Sequence, residues 1–184
     1  MDPAVIAAVV ATPTALIAAG AAYAAGRRQA LGAQRGPVDA VRRQHQRDAY
    51  AAFLTAANTY ADATDWSQCT RRARQEITDT RGPAIREAVE LRAREMRFQA
   101  APLLDAVRSP LAVVSLEGPA HVAELAQRAR EAAFDVGIVA ARAARTAGAF
   151  WETKDETLDR HRALKDSIEA FTVAARDHLN GEST

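Results

Sequence analysis

Gly-Pro recurs three times in this chain of 184 residues, at Gly36-Pro37, Gly82-Pro83 and Gly118-Pro119, and that punctuation limits its folds more than any other feature. Glycine closes a helix by taking the left-handed conformation, and proline opens the next, where its missing N–H costs nothing. Two further boundaries carry caps. Asp2-Pro3 reads as an N-cap and first helical residue, and Thr153-Lys154-Asp155-Glu156, after Phe150-Trp151, reads as a capping box. These signals predict five helices, near 3–35, 37–81, 83–117, 119–150 and 153–179, with a fraying tail at 180–184. The short apolar run Leu111–Leu116 reads either as a strand or as the end of the third helix.

Apolar residues recur at helical spacing within these segments. Val122, Ala129, Val136, Ala143 and Phe150 are each seven apart, with Leu125, Ala132 and Val139 at the other seam position. In the third helix Val89, Met96 and Leu103 interleave with Ala93, Ala100, Val107 and Val114. Heptads on two helices joined through Glu117-Gly118-Pro119 predict an antiparallel pair with left-handed crossing, and alanine at half the seam lets the axes approach closely. Pro102 and Pro110 fall inside the third helix and should kink or break it. The fifth helix offers Leu158, Leu164, Ile168, Phe171, Ala175 and Leu179, and the second offers Tyr50, Phe53, Ala57 and Tyr60 before turning polar beyond Thr64. The expected fold is all-α: long antiparallel helices forming a three- to four-helix bundle over 37–179, preceded over 1–35 by an apolar helix expected to be transmembrane.

The case for that first helix rests on charge. No charged side chain lies between Pro3 and Gly26, and about 20 apolar residues suffice to cross a bilayer core. Abundant alanine, Thr12, Pro13, Thr14 and Gly20 make the span a marginal one. Its flanks decide the direction: Asp2 precedes it, whereas Arg27, Arg28, Arg35, Arg42, Arg43 and Arg47 follow, so the C-terminal side is expected to be cytoplasmic and the N-terminus outside, in the cell membrane. A cleavable signal is disfavoured because no basic region precedes the apolar run. The alternative is a soluble bundle whose first helix is buried in its core or in a partner. Ala7, Ala11, Ala15 and Ala19 form a small-residue ridge suited to self-association in lipid.

The six arginines are candidate contacts for anionic lipid headgroups. Nucleic acid would need the same charges, but no aromatic residues interleave with them, and the net charge of +1 does not favour it. Chemistry is scarce elsewhere. His45 with Asp48 and His121 with Glu124 place imidazole and carboxylate three apart, in the reverse of the order used by di-metal bundles and without further inward carboxylates. His161 falls on the apolar stripe and should be a half-buried, hydrogen-bonded histidine, while His178 near the chain end should be solvated. Cys69 lies close to Arg71 and Arg72, which lower a thiol pKa, but no histidine stands beside it in sequence. It reads as a plain thiol, and being alone it forms no internal disulfide, in keeping with a reducing compartment. Trp66 is a candidate partner anchor, and Trp151 is expected to staple the turn into the last helix. No phosphate loop or nucleophile elbow occurs; no cofactor, metal or catalytic residue is expected.

Only Lys154 and Lys165 are lysines among 24 basic residues, the bias that GC-rich codons produce. The apolar first helix, the connector from Arg27 into Asp39-Ala40-Val41-Arg42-Arg43-Gln44-His45-Gln46-Arg47-Asp48-Ala49-Tyr50, and the turn Ser115-Leu116-Glu117-Gly118-Pro119 resemble a group of actinobacterial proteins with one N-terminal hydrophobic helix and an α-helical cytoplasmic portion. The resemblance implies membrane attachment and a source, and no reaction. Single-pass helical effectors of bacterial conflict systems share the layout only. The function expected is a non-catalytic, membrane-anchored scaffold or interaction module, with lipids and a protein partner or a second copy as its contacts. A soluble helical-bundle regulator is the alternative.

Overall fold

The computed structural model describes residues 38–77, 84–145 and 150–181. The apolar segment 3–26, Arg27, Arg28, Arg35 and the first two Gly-Pro boundaries lie outside the described residues, as do the side chains of 145 and 150–154. Helix α1 covers 38–64, followed by α2 (Trp66–Glu76), α3 (Ala84–Gln99), α4 (Ala101–Glu117), α5 (Ala120–Arg145) and α6 (Phe150–Asn180). No strand occurs among the described residues, and Leu111–Leu116 is helical. None of the described helices is long and apolar enough to cross a membrane. The chain divides into two compact units, Met1–Gln44 and His45–Thr184. The described part of the first, 38–44, is exposed helix.

In the second unit the buried positions follow the four-three alternation of packed helices. On α1 they are Gln46, Ala49, Tyr50, Phe53, Ala57, Tyr60, Ala61 and Thr64; on α5, Val122, Ala126, Ala129, Ala133, Val136, Val139, Ala140 and Ala143. On α6 they are Thr157, His161, Leu164, Ile168, Phe171 and Ala175. The rings of Phe53 and Phe171 meet edge-on at 4.8 Å, with Tyr50 against Phe171 at 5.8 Å. Helices α5 and α6 run antiparallel, Asp135 pairing with Arg160 at 3.0 Å and Arg142 with Glu156 at 3.5 Å. A satellite cluster of Cys69, Ala73, Val89 and Ala93 joins α2 to α3.

Several boundaries differ from the expected ones. The second helix ends at 64 and restarts at Trp66, because the Asp65 carboxylate caps the Gln68 N–H. The third breaks at Ala100, which places Pro102 in the first turn of α4, where a proline lacks no needed donor. Pro110 lies inside α4 without ending it. The last helix begins at Phe150, so Thr153 lies inside it rather than at its cap. Gly118 is extended, at φ −87° and ψ 163°, and not left-handed; a Cβ there would meet the Val114 carbonyl oxygen at 2.7 Å and Tyr50 Oη at 3.0 Å. Close approach, not handedness, requires that glycine. Leu158 is 40% exposed and Thr157 takes the core position.

Candidate functional site

The last four carbonyls of a helix have no partner within it, and two of the residues that end α1, Ala61 and Thr64, are buried away from water. Its last turn is satisfied from three other helices. His161 Nε2 on α6 donates to the Ala61 carbonyl at 2.9 Å, Cys69 Sγ on α2 to Ala63 at 3.3 Å, and Arg97 Nε on α3 to Thr64 at 2.8 Å. The Asp62 carbonyl accepts from the Asp65 N–H at 3.4 Å. Because a carbonyl only accepts, Nε2 of His161 carries the proton. Asp65 then opens α2, accepting from Gln68 N at 3.0 Å, from the Ser67 hydroxyl and from Lys165 Nζ at 3.1 Å.

The electrostatics follow from this geometry. Burial acts to raise the Asp65 pKa, but the hydrogen bonds from Ser67, Gln68 and Lys165 outweigh it and hold the carboxyl well below the usual carboxylate range. Burial pushes the Tyr60 phenol up to about 12, against the opposing charge of Arg97. Arg97 is 2% exposed, and burial lowers its pKa, while Cys69, Tyr60 and Asp65 favour its charge. The negative end of the α1 dipole and the Thr64 carbonyl face this cation. Its Nη2 has no hydrogen-bond partner among the described residues.

Asp65, His161 and Cys69 are the residue types of a thiol nucleophile with its base and orienting acid, but here each is committed elsewhere. His161 gives its Nε2 proton to a carbonyl, its Nδ1 stands 3.9 Å from Asp65 Oδ2, and the thiol points at the Ala63 carbonyl. Burial pushes the Cys69 thiol up, outweighing Arg97 and Arg72. The lowering expected from neighbouring arginines is overturned by desolvation.

Of the candidate lipid contacts, Arg42, Arg43 and Arg47 lie on α1 and are exposed, and Arg27, Arg28 and Arg35 fall outside the described residues. His45 and His121 are exposed, and among the described residues no three His, Cys, Asp or Glu side chains gather as a metal site. His178 is half-buried, its ring 6.3 Å from Tyr50 and 6.4 Å from His121, rather than solvated. Trp66 is half-buried at the start of α2. Asp65 and Arg97 were absent from the expected set, although Asp65-x-x-Gln68 has capping-box spacing and position 97 continues the buried face of Val89 and Ala93. No protein-family profile matches the chain, and no curated protein or solved structure compared with it is similar.

Proposed function

We propose that this chain is a membrane-tethered helical scaffold that presents the bundle 45–184 on the cytoplasmic face for protein contacts. The observation that carries the reading is the charge-free stretch Pro3–Gly26 followed by six arginines, three of them exposed on α1. Arginine near an anionic surface contributes about 1 kcal/mol each, enough in combination to reinforce a marginal span. The polar interior fits the same reading, since Asp65, His161, Cys69 and Arg97 serve the end of α1. Their hydrogen bonds favour a rigid support over a reaction centre.

Fractionation of full-length tagged protein tests it. The protein should sediment with membranes, resist high-salt extraction and enter solution only with detergent. Recovery in the supernatant without detergent overturns the reading and favours the soluble regulator.

A further inference from the structure

Helices α2 and α3 enclose a cleft of about 430 Å³, within the range of small-molecule sites. Trp66, Thr70 and Arg74 line it from α2 at four-residue spacing, and Ile85, Arg86, Val89 and Glu90 line it from α3. The two helices run in opposite directions, with Cys69 and Ala73 packed against Val89 and Ala93. Arg74, late in α2, therefore shares one end of the cleft with Arg86, early in α3. Among the described residues the ion pairs of these helices run through Arg92, to Glu76 at 2.7 Å and Glu95 at 3.0 Å; neither Arg74 nor Arg86 enters one. Glu90, the one acidic lining residue, interacts with Arg94. The cleft thus combines an indole and two branched aliphatic side chains with one carboxylate, Glu90, and two guanidinium groups that enter no ion pair among the described residues.

We propose that this cleft binds a small amphipathic oxyanion, its head held by Arg74 and Arg86 and its flat apolar body against Trp66 and Val89. Guanidinium groups match the geometry of carboxylate and phosphate oxygens, which supplies the head-group preference. The indole face supplies area for an aromatic body. The proposal does not depend on membrane attachment.

Full-length protein carrying Trp151→Phe leaves Trp66 as the only tryptophan, so its emission reports the cleft. Titration with 2-naphthoate and 2-naphthyl phosphate should quench it saturably, the tighter of the two identifying the head group. Neutral 2-naphthylmethanol should bind at least about tenfold more weakly, the loss of one charge-assisted contact. Arg74→Gln with Arg86→Gln should weaken the anions by roughly the same factor, with helical circular dichroism unchanged, whereas Arg92→Gln should leave them unaffected. Ligand-induced thermal shifts of the unsubstituted protein serve as a second readout should Trp151→Phe perturb folding. Equal binding of charged and neutral probes, or no saturable response to either anion by both readouts, overturns the proposal.

Discussion

Removing the guanidinium of Arg97 leaves the Thr64 carbonyl without its donor in a place closed to water, since Thr64 is fully buried. Arg97→Met keeps much of the apolar stem and deletes the hydrogen bond, so the change should cost about 1–3 kcal/mol, the penalty of an unsatisfied buried acceptor. Urea denaturation measures it; an unchanged midpoint would show that water replaces the donor. Asp65 makes a different prediction, one in pH. Its folded pKa lies below the unfolded value near 3.8, so its contribution is present above about pH 4 and is lost as pH falls below that value. Asp65→Asn should flatten that acid loss and, through the weakened cap and lost ion pair, lower stability at neutral pH by about 1 kcal/mol. Denaturation midpoints between pH 6 and pH 3 compare the two proteins. Both residues illustrate what sequence patterns hide. Asp65 was legible as a cap by its spacing to Gln68, but the uninterrupted apolar stripe from Tyr50 to Tyr60 masked it. Arg97 was not legible, because only the approach of α3 to the end of α1 makes a buried cation tolerable there.

Elements were easier to read than their ends. Period alone placed Val122, Ala129, Val136 and Ala143 in the core of α5, and Leu164, Ile168, Phe171 and Ala175 in that of α6. At the second seam it placed Val139 in the core correctly but missed Ala126, Ala133 and Ala140, beside which Leu125 and Ala132 lie half-buried. Two stripes one residue apart are nearly equivalent in a sequence rich in alanine, and only packing decides which faces inward. The α4–α5 turn depends on such close approach. Gly118→Ala adds a methyl 2.7 Å from the Val114 carbonyl oxygen and 3.0 Å from Tyr50 Oη, where the first contact is backbone and cannot swing aside. The φ of −87° is open to any residue, so the penalty is steric. The substitution should destabilise by about 1–3 kcal/mol. Thermal unfolding measures the change, and a midpoint as high as that of the unsubstituted protein would mean the turn shifts freely.

At the scale of the whole molecule, the question is whether the N-terminal segment belongs to the folded core. The main cluster runs from Ala49 to Ala175, and the polar ties that close it, from Gln46 to the Glu117 carbonyl and from His161 to Ala61, lie within the same unit. Every donor and acceptor named at the end of α1 also comes from residues beyond 60. A unit whose main apolar cluster and polar ties close among its own residues has the ingredients of an independently folding domain. The fragment 45–184 should therefore remain soluble and helical and unfold cooperatively in urea, while the full chain follows the membrane. If residues 3–26 instead completed the bundle, their removal would uncover apolar surface, and the fragment would aggregate or melt without a cooperative transition. Because the fragment carries Arg74, Arg86 and Trp66 intact, its response to 2-naphthoate also separates the two proposals: an anchored protein keeps the cleft after its anchor is cut away.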